Sequence, residues 1–357
     1  MASLQIDTDS RRPAKKQPVA APRIKKSKRV VRVGDLCCGM GGISLAARQL
    51  GMQVVVGVDA NAAAVRTFKK NFPEAEAIEG SVRSSRIVKC CEKLLKPSGR
   101  GLSIVVSGPP CQGFSVAGSR DPSDPRNQIL MAVARDIVTL APDCALVENV
   151  SAVLSEEHAQ RLKKFCNLLS DGEYFVTSLV LDASEFGVAQ KRKRVFFFIL
   201  RRHVTAHELL KRLELHRQPA ISVESAFQDL PSPLVRPTDY SDEGDYGVVH
   251  NHFAMCHSQR VIEKIAALAP GSGPMSYRRL SATRPSNTLF SGHRAPPAHF
   301  SDPRSITVRE AARLQGFPDD FRVYGTFGNQ MEQVTNAVPP PLASVALQVL
   351  AELSGVL

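Results

Sequence analysis

From Val30 onward, short apolar runs alternate with stretches in which apolar residues recur every three or four positions. Strands buried on both sides read as continuous apolar runs and amphipathic helices as a 3.6-residue period. The alternation therefore predicts a mostly parallel sheet with helices on both faces. Val30–Val33 reads as the first strand, followed by Gly34-Asp35 and the loop Cys37-Cys38-Gly39-Met40-Gly41-Gly42. Ile43–Leu50 reads as a helix, Val54–Val58 as a strand ending at Asp59, and Ala60–Asn71 as the next helix. Leu102–Val106 is a later strand, and Ile129, Val133, Ile137 and Leu140 recur at helical spacing before the strand Cys144–Val147. Val176–Leu181 and Val195–Leu200 are further strands. These elements define a first domain over 30–200. After Leu200 the texture becomes rich in His, Arg, Pro and Gly, with one clear helix, Ser258–Leu268, so 201–300 is assigned to a second, smaller domain. Thr307–Gln315 and Pro341–Leu353 look helical again, and 301–357 is expected to pack back on the first domain.

Composition narrows the setting. At 357 residues with 43% hydrophobic and 22% charged residues, the chain is an ordinary soluble protein of more than one domain. No apolar stretch approaches the roughly 20 residues that span a bilayer, and no secretory signal opens the chain, so a cytoplasmic protein without a membrane partner is expected. The eight cysteines include the adjacent pairs Cys37-Cys38 and Cys90-Cys91 but no metal-type spacing, which predicts reduced thiols and no metal site. Net charge is +12, and residues 1–30 carry nine Lys or Arg against two Asp. With three prolines and few apolar residues, 1–29 is expected to be a disordered basic tail, either solubilising or reaching for nucleic acid.

Candidate chemistry lies where strands end. A Gly-rich turn between strand and helix lets a ligand approach backbone amides, although a plain tight turn has the same composition. Asp59, about 20 residues on and at the end of the next strand, is placed as a ribose-binding acid, which together with the loop suggests a nucleoside cofactor. The loop is not GxGxxG, and its acidic start at Asp35 suits a positively charged cofactor better than a pyrophosphate. Cys111 follows Pro109-Pro110 with Gly108 and Gly113 on either side, a setting that presents a nucleophile rather than a buried thiol. Glu148 follows Ala145-Leu146-Val147, where partial desolvation would raise its pKa and let it donate a proton. Arg192 and Arg194 lead into a strand and fall on one face of it.

The ordered set DLCCGMGG (35–42), GPPCQGFS (108–115), ENV (148–150), QKRKR (190–194), RPSNTL (284–289), REAARLQGFP (309–318) and TNAVPPPLA (335–343) resembles the bacterial DNA cytosine-5 methyltransferase family over nearly everything from Val30 to Leu353. The resemblance implies a Rossmann-like α/β catalytic domain, S-adenosyl-L-methionine as methyl donor, double-stranded DNA as substrate and a small target-recognition domain between QKRKR and RPSNTL. It implies Cys111 as nucleophile, Glu148 as the residue hydrogen-bonded to cytosine nitrogen 3, and Arg192 and Arg194 flanking the base. The implied cofactor site comprises Asp35, Cys37, Gly39, Gly41, Gly42, Asp59, Ala60, Ser81, Pro109, Asn336 and Ala337. Candidate DNA contacts are Gln112, Ser115, Arg120 and Arg126 after the nucleophile, and Arg278, Arg279, His293 and Arg294 in the recognition region, phosphate positioning being the simpler role for most of these.

The chain departs from the family at Cys37, Ala60 and Ser81, where larger or acidic residues usually hold the adenine, and a weaker cofactor grip is expected. Thr335 stands where Gly is usual, and the recognition region is short. A monomer is expected, with a cognate restriction enzyme or a defence-system subunit as its protein partner. An RNA methyltransferase and a DNA-binding regulator without catalysis are the alternative readings.

Overall fold

The computed structural model describes residues 30–96, 101–110, 127–236, 242, 246, 249–274, 277–290 and 296–357. The tail 1–29 and the candidate site residues Cys111, Gln112, Ser115, Arg120, Arg126, His293 and Arg294 lie outside the described residues.

Seven strands form the central sheet: β1 (Val31–Leu36), β2 (Gln53–Asp59), β3 (Glu76–Glu79), β4 (Leu102–Ser107), β5 (Cys144–Asn149), β6 (Phe175–Asp182) and β7 (Lys193–Leu200). Their order is β3-β2-β1-β4-β5-β7-β6, with β7 antiparallel to both neighbours and the pairs from β3 to β5 parallel. The helices between them are α1 (Gly42–Gln49), α2 (Ala62–Asn71), α3 (Ser85–Leu95), α4 (Asn127–Leu140) and α5 (Ala159–Asp171).

Period-two alternation along buried strands builds a core on each face. Ile104, Val106, Cys144, Leu146, Phe196 and Phe198 face the side covered by α1. Val105, Ala145, Val147, Val195, Phe197 and Ile199 face the side covered by α3, α4 and α5. The expected doubly covered parallel sheet is present, and its order reverses between β1 and β4, which opens a crevice at their carboxyl ends.

The strands run further than their apolar runs. β1 continues to Leu36 and β5 to Asn149, so Asp35 and Glu148 lie inside strands rather than after them, because backbone pairing with β4 and β7 continues past the last apolar side chain. In the other direction, α2 starts at Ala62 and not Ala60, since the Asn61 side chain caps it by accepting from the Ala63 and Ala64 amides.

The single helix expected in 201–300 is corrected to three: α6 (Ala206–Glu214), α7 (Val223–Phe227) and α8 (Gln259–Ala266), beside the short strands β8 (Leu234–Val235) and β9 (Phe253–Ala254). Val204, Leu209, Leu213, Val223 and Phe227 join the same core as the sheet. The stretch up to 227 thus packs with the first domain, its apolar anchors having been hidden among polar neighbours.

The chain then returns through α9 (Val308–Leu314), α10 (Phe327–Asn336) and α11 (Pro340–Leu353). α11 lies between α1 and α6, against β5 and β7. The stretch 327–353 is long and apolar enough to cross a membrane by length and composition, yet it is mostly buried inside the fold. The REAAR segment serves this return. Arg309, 0% exposed, donates to the carbonyls of His250, Pro318 and Phe321, while Glu310 closes a capping box with Thr307 and takes a bidentate pair from Arg304.

Candidate active site

A cavity of about 600 Å³ opens at the carboxyl edge of β1, β2 and β4. Asp35 enters it from β1 with 1% exposure. Ser44 Oγ donates to its Oδ2 at 2.6 Å, whereas Oδ1 is buried without a hydrogen-bond partner. Burial pushes this carboxyl up to about 7, opposed by the Ser44 hydrogen bond and assisted by the Asp59 charge.

Asp59 closes the loop that follows β1. Its Oδ2 accepts from the Gly39 amide and its Oδ1 from the Asn61 amide, both at 2.8 Å. Burial raises its pKa as well. Cys37 adopts φ 64°, a left-handed conformation costly for a residue with a Cβ, and burial, then the Asp59 charge, pushes its thiol far above the ordinary range. A protonated thiol there is a wall, not a nucleophile.

Two glycines bring helices together behind the loop. A Cβ on Gly41, at φ 99°, would lie 2.5 Å from the Phe72 ring, and one on Gly42 would lie 2.3 Å from the Val338 carbonyl oxygen. Gly42 therefore lets the segment before α11 touch the N-terminus of α1. Of the expected cofactor residues, Asp35, Cys37, Gly39, Gly42, Asp59, Ala60, Ser81, Pro109, Asn336 and Ala337 line the cavity. Gly41 does not; it packs on Phe72 instead.

The far wall carries Glu148, Arg192 and Arg194. Antiparallel pairing sets Glu148 opposite Phe196 and Asn149 opposite Val195, which puts the carboxyl end of β5 beside the start of β7. Arg194 Nε consequently lies 3.0 Å from Glu148 Oε1. Glu148 is 6% exposed, and burial raises its pKa against the pull of Arg194 and Arg192. Arg192, 1% exposed, donates from Nη2 to the Ala337 carbonyl at 3.0 Å, linking this wall to the C-terminal segment.

Three positioning groups escaped the sequence reading. Asn149 Nδ2 donates to the Pro109 carbonyl at 3.2 Å and its Oδ1 accepts from the Val150 amide, fixing the chain two residues before Cys111 to the end of β5. Asp182 Oδ1 accepts from the Arg192 amide at 3.1 Å. Gln333 donates to the Tyr324 carbonyl at 2.8 Å while its buried Oε1, at the cavity wall, has no partner. Asn149 stands inside the ENV motif, so its amide was a visible signal; the other two depend on tertiary contacts alone.

The paired recognition arginines separate. Arg279 donates to the carbonyls of Ala266, Leu268, Phe300 and Ser301 and so ties the end of α8 to the segment at 300–301. Arg278, the next residue back, is exposed.

A doubly wound sheet with a cavity at its switch point, one antiparallel strand carrying two arginines, and a buried carboxylate beside them define a Rossmann-like α/β fold with a ligand crevice. The family model for C-5 cytosine-specific DNA methylase matches residues 31–352, and the chain belongs to that family. Among its relatives is the type II methyltransferase M.XorII of Xanthomonas oryzae pv. oryzae, 30% identical over 87% of this chain and 82% of that one. The type II methyltransferase M1.BsuMI of Bacillus subtilis is 31% identical over 90% and 81%. A putative DNA modification methyltransferase encoded within an E. coli prophage superposes with a TM-score of 0.73 at 28% identity, covering 90% of this chain and 99% of that one. Dnmt2 of S. pombe, at 15% identity and a TM-score of 0.63 over 90% and 98%, shares the fold. The protein is a DNA (cytosine-5)-methyltransferase with S-adenosylmethionine as methyl donor.

The cavity fits that donor. The orphaned Asp35 Oδ1 can accept a cation's N–H, and Asp59 retains lone pairs beyond the two amides it accepts. The small lining at Cys37, Ala60 and Ser81 leaves room for a purine.

Proposed function

We propose that this chain methylates carbon 5 of cytosine in duplex DNA through a covalent adduct to Cys111, on a base turned out of the helix. The carrying observation is that buried Glu148 shares one cavity with the cofactor residues and with Pro109 and Pro110, directly before Cys111 in the chain. A stacked base cannot be approached from both faces, so the cytosine must leave the duplex to enter.

The residues divide the work. The Cys111 thiolate adds to carbon 6, and Glu148 gives its proton to nitrogen 3, so the ring's electrons collect at carbon 5 as an enamine. Burial raises the Glu148 pKa and so favours the acid form that donates, and Arg194 stabilises the carboxylate it becomes. Arg192 keeps the wall in place through the Ala337 carbonyl. S-Adenosylmethionine supplies an electrophilic methyl group to carbon 5. Loss of the carbon 5 proton to solvent water then re-forms the ring double bond and expels the Cys111 thiolate, and the nitrogen 3 proton returns to the Glu148 carboxylate. Asp35 and Asp59 hold the donor's cationic and ribose ends, with Asn336 at the lip.

Duplex DNA carrying 5-fluorocytosine tests the reading, because fluorine cannot leave as a proton and the adduct persists. Wild-type protein with S-adenosylmethionine should form a denaturation-resistant DNA complex and Cys111→Ser should not, while still binding DNA and cofactor. DNA binding without trapping, or methyl transfer to tRNA alone, would reject it.

A further inference from the structure

β7 divides two cavities. Arg192 and Arg194 line the one that holds Glu148. Lys191 and Lys193 line another, of about 540 Å³, together with Arg278, Asn287, Thr288 and Phe290. Neighbouring residues of an extended chain point to opposite sides, so alternate positions of QKRKR serve different cavities.

The second cavity is built, and the RPSNTL segment builds it. The Lys191 amide donates to the Ser286 carbonyl at 2.8 Å, Thr288 Oγ1 donates to the Lys191 carbonyl at 2.7 Å, and the Leu289 amide donates to Gln190 Oε1 at 3.3 Å. The backbone under Lys191 is thereby held on both sides. Arg278 is presented by a similar device: its carbonyl accepts from the Ala298 amide at 2.9 Å, and Arg279 beside it is anchored on backbone carbonyls. Asp182, the acid in the lining, already accepts from the Ser184 amide and hydroxyl and the Arg192 amide through Oδ1. The lining therefore carries three cations against one acid that is committed to the turn before β7.

We propose that this second cavity is a phosphodiester site for the DNA strand whose base occupies the first. The inference rests on the proposed function. Lys193 stands between Arg192 and Arg194 in the chain, so the second cavity adjoins the first, and three cations in one recess match polyanionic backbone rather than a base edge. The exposed Phe290, 42% accessible at the cavity wall, offers a sugar or base an apolar face.

Salt dependence of DNA binding tests this in the full-length protein. Each phosphate contact removed lowers the slope of log Kobs against log salt by about 0.9, so the Lys191→Gln, Lys193→Gln, Arg278→Gln triple variant should lose about 2.7. The loss should be the same on duplexes of unrelated sequence, and Lys191→Arg with Lys193→Arg should retain the wild-type slope. The single variants decide the question if the triple variant fails to fold. An unchanged slope, or weakening confined to one sequence, overturns the proposal. Trapping on 5-fluorocytosine DNA at low salt reads the methylation chemistry separately, so failure here leaves that result intact.

Discussion

Asn149 Nδ2 reaches from the end of β5 to the Pro109 carbonyl, 3.2 Å away, and so ties the strand that carries Glu148 to the chain that leads to Cys111. Asn149→Ala should slow the single-turnover methylation rate by about 100-fold, the scale of an ångström-level misplacement of a reacting group. Because Glu148 and Arg194 are untouched, the pH profile should keep its shape and DNA affinity should stay within about twofold, inside RT ln 10 of the wild type. Rapid-quench kinetics beside a binding isotherm read both; a shifted pH profile would mean that Asn149 acts on Glu148 instead.

In the proposed mechanism Arg194, beside Glu148, sets the alkaline limit of the reaction. Glu148 donates only when protonated, so activity falls as pH rises through its pKa, which burial raises and Arg194 and Arg192 hold down. Arg194→Ala should move the alkaline limb of kcat/KM to higher pH, and Arg194→Lys should move it back toward wild type. Glu148→Gln should erase the limb and lower the chemical rate by about 10²- to 10⁴-fold.

In the proposed donor site Asp35 brings a pH dependence of its own. Its carboxyl, raised by burial to about 7, must ionise to accept the cofactor's cation. Affinity for S-adenosylmethionine should therefore weaken about tenfold per unit as pH drops below 7, with protons released on binding. The stability effect has the opposite sign. A carboxyl raised above its unfolded value of 3.8 contributes stability below that pH, and the contribution is lost as pH rises through about 7. Asp35→Asn should thus stabilise the cofactor-free protein at pH 8 by up to about 4 kcal/mol while weakening cofactor binding. Calorimetry across pH 5.5–8.5 (roughly the span of the titration) measures both effects, and a flat affinity profile would contradict the assignment.

Gly42 reverses the usual helix rule. Ala in place of Gly inside a helix normally gains about 1 kcal/mol. Here the new Cβ would meet the Val338 carbonyl oxygen at 2.3 Å, a backbone atom that cannot swing aside. Gly42→Ala should cost about 3 kcal/mol, as overpacking does, and should weaken cofactor binding by displacing Ala337 and Val338 from the cavity wall. Urea unfolding with and without cofactor checks it.

Much of this architecture was legible before any coordinates. The sheet core announces itself because strands buried on both faces must be continuously apolar: Ile104–Val106, Cys144–Val147 and Val195–Leu200 all do so. The same criterion stops short at Asp35, Glu148 and Arg194, which continue the strands while turning polar groups into the cavity. Edge strand β3, with no buried residue, and helices α3, α5 and α10 escaped notice because their apolar stripes are short or broken by charge. The expected cofactor residues, Gly41 apart, line one cavity. Asn149 was in view within ENV, whereas Asp182, Gln333 and the carbonyl contacts of Arg279 were not, because hydrogen bonds to distant carbonyls and amides leave no local pattern.

The seat of Val338 on Gly42 also joins two segments far apart in sequence into one wall. A chain without α10 and α11 keeps Asp35 and Asp59 but lacks Asn336 and Ala337 from the cavity wall. A chain cut before α10 should therefore bind no donor, whereas one cyclically reordered to begin just before α10 should still close the same wall.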